Sequence, residues 1–155
     1  MKSRILFCLA TVALAACTTP GGDAGSGKAA DKGAQRGTSG ALTLDSYKRD
    51  IAQRITHNNA VKVYSGRPQA LLRSVVVLRY VVDAHGNLVK SDIMRSNRDR
   101  ETEATALASL RNSAPFPQPA AHLLRHGRLE MSETWLFNND GRFQLRTIAE
   151  PQMDS

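Results

Sequence analysis

The stretch that decides the fold runs from Ser74 to Met94 and reads SVVVLRYVVDAHGNLVKSDIM. It begins with a β-branched run that is apolar at consecutive positions, which is typical of a central strand. Asp83, Gly86 and Asn87 follow, and these residue types favour a turn and tolerate a positive φ. A strand, a glycine-bearing turn and a second strand predict a β-hairpin at the centre of a sheet.

Two amphipathic helices are predicted, one on each side of this hairpin in the chain. The first follows a cap at Thr43 or Asp45 and runs to about Asn58. Its apolar stripe comprises Tyr47, Ile51 and Ile55 at four-residue spacing, and Leu44 can close the same stripe. The second helix follows Asn97 or Asp99, and its apolar stripe comprises Ala104, Leu107 and Leu110. Both stripes are expected to pack on the sheet.

The segment after the second helix predicts a crossover and two more strands. Pro115-Phe116-Pro117 forces an extended segment, with Phe116 expected in the core rather than in a partner's aromatic groove. Residues 128–137 alternate, and one face of this strand carries Leu129, Met131, Glu133, Trp135 and Phe137. The turn at 138–141 leads to a last strand over 142–148. The sequence thus predicts an α+β fold, a small antiparallel sheet of three to four strands with two helices packed on one face.

The N-terminus has the pattern of a bacterial lipoprotein signal. Lys2 and Arg4 precede a short apolar run over residues 5–14, which is too short to span a bilayer. Residues 14–17, Leu-Ala-Ala-Cys, resemble a lipobox, so we expect cleavage of residues 1–16 and lipid attachment at Cys17. An ordinary cleaved signal with an incidental cysteine is the alternative. Thr18 stands where an Asp would favour inner-membrane retention, which favours an outer-membrane anchor with the domain facing the periplasm.

Composition divides the rest of the chain. Residues 17–42 are rich in Gly, Ala and Ser and are expected to form a flexible tether, followed by one domain at 43–150 and a tail at 151–155. The formal charge is +7, and subtracting Lys2 and Arg4 leaves +5. The basic residues are scattered without interleaved aromatic residues, so no nucleic-acid groove is predicted. The two cysteines, Cys8 and Cys17, both lie in the N-terminal region, so no disulfide is expected in the mature domain.

No catalytic motif is recognisable in the sequence. It contains no Gly-x-Ser-x-Gly, phosphate-binding loop or His-Glu-x-x-His pattern. His122 and His126 are four residues apart and could share a helix face, but two nitrogens without a third ligand make a poor zinc site. We therefore expect no catalysis, cofactor, metal or small-molecule substrate. A small periplasmic enzyme built from scattered side chains is an alternative.

The domain resembles the C-terminal domain of TonB and its relatives, including TolA, over about residues 47–148. The matching residues are the Val-rich strand into Asp83, Gly86 and Leu88, then Ile93 and Ser96, the helix residues Glu103, Ala106, Leu107 and Leu110, and Pro115-Phe116-Pro117. One departure is Arg95-Ser96-Asn97, where relatives often have Ser-Ser-Gly. A larger departure is at the N-terminus, because TonB and TolA have an inner-membrane helix and a long periplasm-spanning region.

The resemblance implies a domain that binds partners, in TonB by adding a partner strand to a sheet edge. The corresponding edge strand here would be residues 129–137, with Leu129, Met131, Glu133, Trp135 and Phe137 as the partner-binding residues. The leading hypothesis is a membrane-anchored periplasmic lipoprotein that binds another cell-envelope protein without catalysis. A TonB-like energy-transduction component that supports outer-membrane transport is the alternative of a different class.

Overall fold

The computed structural model describes residues 37–154. Their helices are α1 (Leu44–Asn58) and α2 (Arg100–Asn112), and their strands are β1 (Ser74–Asp83), β2 (Leu88–Arg95), β3 (Arg128–Phe137) and β4 (Phe143–Leu145). Two 3-10 turns lie at Ala60–Lys62 and Ala121–Leu123. The strands form one antiparallel sheet in the order β2-β1-β3-β4. Within the described residues, no helix has both the length and the apolar character needed to cross a membrane.

Both helices cover the same face of the sheet. Alternate residues of β1 and β3 are buried, and register places Val76 opposite Trp135 and Tyr80 opposite Met131. These side chains form one core with the buried residues of α1 and α2. The predicted α+β fold with two helices on an antiparallel sheet is confirmed.

Helix α1 begins where the sequence indicated. Thr43 and Ser46 form a capping box, which satisfies main-chain donors of the first turn. Tyr47, Ile51 and Ile55 are fully buried as predicted. Leu44 is 41% exposed, so its expected place in the stripe is wrong. Its side chain instead lines an open groove beside β3.

The buried face of helix α2 matches the predicted stripe in part, because Leu110 is buried and Leu107 packs against the core. Asp99 caps it as expected, but Ala104 is exposed and the buried residues are Thr102, Ala106, Ser109 and Leu110. Two of these are polar because each has a partner in the core. The Thr102 hydroxyl donates to Ser74 Oγ at 2.9 Å, and Trp135 Nε1 donates to Ser109 Oγ at 2.9 Å. Satisfied hydroxyls can occupy a core at little cost, which apolar periodicity does not reveal.

The Pro-Phe-Pro segment is fixed to the hairpin turn of β1 and β2. Phe116 is 2% exposed, and its ring lies 6.4 Å from that of Tyr80. Its N–H donates to the Gly86 carbonyl at 2.7 Å. The core position expected for Phe116 is confirmed.

The packed part of the chain extends beyond both ends of the predicted domain. Ser39 N–H donates to the Gln118 carbonyl at 2.9 Å, and Ser39 and Ala41 are buried, although these residues were assigned to the tether. At the other end, the Arg67 guanidinium donates to the carbonyls of Pro151 and Gln152. Hydrogen bonds to main-chain carbonyls fix these segments, and composition carries no signal for them.

Candidate functional site

Among the described residues, no strand lies alongside the first half of β3 on the side opposite β1. Strand β4 pairs with β3 only from Trp135 to Phe137. It is shorter than the predicted 142–148 because the chain turns, and the N–H groups of Ile148 and Ala149 donate back to the Leu145 carbonyl. In the part of the chain that the structure describes, no strand therefore occupies the space beside residues 129–133 that β4 would fill if it continued.

The main-chain groups that face this gap belong to Glu130 and Ser132. Hydrogen bonds of an antiparallel strand point alternately to its two neighbours. On the β4 side, the Thr134 carbonyl accepts from Arg146 N–H and Asn138 N–H donates to the Arg142 carbonyl, both at 2.9 Å. Even-numbered residues of β3 therefore face the gap. In the described part of the chain, no main-chain group beyond the β1 ladder bonds to Glu130 or Ser132.

Both ends of the gap are closed. At one end Arg125 and Arg128 exchange two main-chain hydrogen bonds, of 2.8 and 3.1 Å, around a two-residue turn. That turn needs positive φ at both central positions, and His126 (52°) and Gly127 (73°) supply it. At the other end Arg146 bonds to Thr134. We call residues 129–133 and the space beside them the β3 gap.

The five side chains predicted to bind a partner do not face solvent. Their exposed fractions range from 0 to 7%, and the residues are Leu129, Met131, Glu133, Trp135 and Phe137. They point into the core because this face of β3 lies under the helices. The prediction of an edge along all of residues 129–137 is also wrong, since β4 covers the strand from Trp135 onward. The part of β3 that remains open is the main chain of Glu130 and Ser132, whose side chains the alternation places on the polar face of the strand.

Glu133 is a buried carboxylate at the inner end of the gap. It is 4% exposed and accepts from Thr134 N–H at 2.7 Å. Burial raises the pKa of Glu133, opposed by hydrogen bonds from Thr147 and Thr134 and by the charge of Lys48. Burial also raises the pKa of Tyr80, and the neighbouring Glu133 adds to this effect. An acidic residue among apolar ones in the alternation was the sequence signal for this group.

A groove of about 650 Å³ adjoins the gap at the Arg125–Arg128 turn. Leu44 and Leu123 supply apolar surface there, and exposed Arg125 and Arg128 supply positive charge, with Glu130 the acidic residue among the lining side chains. Arg146, at the opposite end of the gap, is also exposed. Exposed cations therefore lie at both ends of the gap, with the carboxylate of Glu130 between them and Glu150 lining the same pocket as Arg146.

The second open edge is β2, which pairs only with β1 in the described structure. Register shifts interrupt this pairing twice, near Val89 and near Met94. These two residues and Ile93 are exposed apolar side chains, at 46, 55 and 38%. The sequence pattern predicts β2 as the second strand of the hairpin, but it does not predict that β2 lies at the edge of the sheet.

The histidine pair does not form the arrangement considered from the sequence. His122 lies in the 3-10 turn Ala121–Leu123 and its Nε2 bonds the Leu42 carbonyl at 2.8 Å, whereas His126 lies in the following turn. They therefore do not share a helix face. Within residues 37–154, no group of three or more His, Cys, Asp or Glu side chains is placed to hold a metal ion. Cys17, the predicted lipid-attachment residue, lies outside the described residues.

The fold and the β3 gap define a small α+β domain with an incomplete sheet. Comparison of the chain with known proteins adds no relative, because no family model, no curated protein and no solved structure matches it.

Proposed function

We propose that this protein is a lipoprotein, anchored through Cys17 in the outer membrane, whose periplasmic domain binds another cell-envelope protein without catalysis. The binding site is the β3 gap, which takes one short extended segment of the partner as an added strand. The observation that carries this proposal is the main chain of Glu130 and Ser132, which no strand of the described residues pairs on the β4 side of β3.

Strand addition suits the gap because it needs main-chain hydrogen bonds rather than a carved pocket. Residues 129–133 leave room for a partner segment of similar length, whose flanks leave the plane of the sheet because both ends of the gap are closed. Register in this part of β3 is continuous with β1, so the strand presents regular spacing. An incoming strand therefore finds donors and acceptors already aligned.

The side chains around the gap indicate the chemistry of the segment. Arg125, Arg128 and Arg146 flank it and are exposed, so acidic side chains near the ends of the segment are favoured. Leu44 and Leu123 offer an apolar surface in the adjoining groove. The proposed partner is thus an extended, acidic segment with an apolar side chain.

The anchor is supported by the N-terminal pattern of cations, short apolar run and Leu-Ala-Ala-Cys. Acyl chains contribute about 0.8 kcal/mol per buried CH₂, and more than one chain holds a protein durably on a membrane. The outer membrane is proposed because Thr18, rather than an acidic residue, follows the cysteine.

The test is a proline substitution that affects only the gap. Ser132 N–H faces the gap and not β1, so Ser132→Pro removes one donor for the partner and no bond of the β1 ladder. Ser132→Ala is the matched control, because it shortens the exposed side chain and keeps the N–H. Both full-length variants are expected to unfold in urea at nearly the wild-type midpoint.

Partner binding is measured in cells with a photo-crosslinking residue at Glu130, which is exposed at the gap. We expect an adduct with an envelope protein that Ser132→Pro abolishes and Ser132→Ala preserves. With the purified partner, the amides of Glu130 and Ser132 should gain protection from hydrogen exchange. An adduct that survives Ser132→Pro in a folded protein, or a partner that leaves both amides unprotected, would show that strand addition is the wrong mechanism.

A further inference from the structure

The sequence of β2 is self-complementary. Residues 89–93 read Val-Lys-Ser-Asp-Ile, which is apolar, cationic, hydroxyl, anionic and apolar in order. If two copies pair antiparallel about Ser91, Lys90 of each copy lies opposite Asp92 of the other. Val89 then lies opposite Ile93. One strand thus supplies both halves of a matched interface.

The backbone of β2 is oriented for this pairing. Odd residues of β1 bond to β2, since its even residues bond to β3, and register pairs Lys90 with Val81 and Asp92 with Arg79. Because orientation alternates along a strand, the N–H and carbonyl of Ser91 point away from β1. Two Ser91 residues can therefore exchange a pair of hydrogen bonds at a two-fold axis.

The charged pairs fall at the closer spacing of an antiparallel ladder. When Ser91 forms the hydrogen-bonded pair, Lys90 and Asp92 form the neighbouring non-hydrogen-bonded pairs, where side chains approach most closely. Their side chains are 64 and 37% exposed, and Lys90 Nζ lies 3.0 Å from Asp92 Oδ2 within the strand. Both are thus accessible to a second copy, and each interface contains two such pairs.

Two irregularities limit the length of the contact. The register shifts near Val89 and Met94 bend the strand at both ends, so regular pairing covers about five residues of each copy. The exposed side chains of Val89 and Ile93 close the ends of this segment. An interface of this size is small, which predicts a weak, reversible dimer.

We propose that this protein forms a symmetric dimer by antiparallel pairing of β2 with β2 of a second copy, centred on Ser91. The dimer is independent of the β3 gap, which lies on the other side of β1. It joins the two sheets edge to edge into one.

Charge exchange within β2 tests the dimer directly. Lys90→Asp places carboxylate opposite carboxylate, and Asp92→Lys places ammonium opposite ammonium. Each single variant, as full-length protein in mild detergent, should weaken self-association in sedimentation equilibrium by about tenfold, since both cross-strand pairs change from attraction to repulsion. The double variant restores opposite charges and should dimerise within about threefold of wild type. An equimolar mixture of the two single variants should form a heterodimer.

Two proline variants separate this proposal from partner binding. Ser91→Pro removes the outward N–H at the two-fold axis and should abolish dimerisation, whereas Ser132→Pro should leave it intact. A chain that is monomeric at every concentration, or one whose association ignores both charge exchange and Ser91→Pro, would overturn the proposal. Neither result bears on the β3 gap, because that site is tested by Ser132→Pro.

Discussion

Among the described glycines, Gly86 is the one whose replacement by alanine should destabilise the fold most. Its φ is +84°, and a Cβ built there would lie 2.0 Å from the carbonyl oxygen of Phe116. Gly66 is a matched control, because its φ is +83° and among the described residues no heavy atom lies within 4 Å of the equivalent position. Both Gly→Ala substitutions force a positive φ on an L residue, which costs about 1–2 kcal/mol. Only Gly86→Ala also creates a clash.

The additional destabilisation by Gly86→Ala comes from the movement of Phe116 that the new Cβ requires. An ordinary contact needs at least 3.4 Å, so the Phe116 carbonyl has to retreat by about 1.4 Å. That movement breaks the 2.7 Å hydrogen bond from Phe116 N–H to the Gly86 carbonyl, worth about 1 kcal/mol. It also displaces a ring that is 2% exposed, and forced repacking of a core costs about 1–3 kcal/mol.

We therefore expect Gly86→Ala to lower the free energy of unfolding by about 2–4 kcal/mol more than Gly66→Ala. Urea unfolding of the two full-length variants, followed by tryptophan fluorescence of Trp135, measures this difference. Trp135 is the single tryptophan and is fully buried, so it reports on the same core. Equal losses within about 0.5 kcal/mol would show that the turn relaxes away from Phe116 and that the contact does not stabilise the fold.

Two further predictions concern Glu133 and Cys17. The folded-state pKa of Glu133 lies above its ordinary value of 4.5, so protonation of this carboxyl favours folding. The stability that protonation contributes is complete below pH 4.5 and is lost as the pH rises through the folded-state pKa. The free energy of unfolding of wild type, relative to that of Glu133→Gln, should therefore fall as the pH rises through this interval. The fall should be about 1.4 kcal/mol for each pH unit by which the folded-state pKa exceeds 4.5. Parallel pH profiles of the two proteins would show that burial does not raise the pKa of Glu133. The lowered pKa values of Asp83, Asp99 and Asp140 affect stability only as the pH falls toward and below their ordinary 3.8, so they do not obscure it. Cys17→Ala is expected to abolish both lipid labelling and membrane retention. Cys8→Ala, in the segment expected to be cleaved, is the control and should preserve both. Full retention of the Cys17→Ala chain in washed membranes would refute the lipid anchor at Cys17.

The elements that the sequence predicted are those set by local periodicity. The apolar run of β1, the alternation of β3 and the four-residue spacing of Tyr47, Ile51 and Ile55 each require one burial pattern, and the structure has it. The two polar positions of the buried face of α2, Thr102 and Ser109, were not predicted, because their hydroxyls are satisfied by residues distant in sequence, Ser74 and Trp135. Apolar periodicity registers hydrophobicity and not the hydrogen bonds that make a hydroxyl compatible with a core.

The candidate site was only half predictable for a related reason. Alternation along residues 128–137 assigns side chains to faces, but it does not say which neighbour each main-chain group meets. That depends on how far β4 extends, and β4 ends at Leu145 where the chain turns back and Thr147 meets the buried carboxylate of Glu133. A long-range contact thus sets the length of the gap.

The outer side of β4, the outer side of β2 and the β3 gap differ in how far they are covered or interrupted. This difference supports the proposal that a partner binds at the β3 gap. The outer border of β4 is sealed, because Tyr64 N–H donates to the Phe143 carbonyl at 3.3 Å and the Gln144 side chain donates to the Tyr64 and Gly66 carbonyls. The border of β2 is bent by two register shifts and carries charges, devices that restrict unselective pairing. The β3 gap is continuous in register with β1, no main-chain group of the described residues bonds to its outward side, and Glu130 is the charged side chain that lies within it. An open strand segment of this kind risks unwanted pairing, and the partner strand proposed for the gap would cover it.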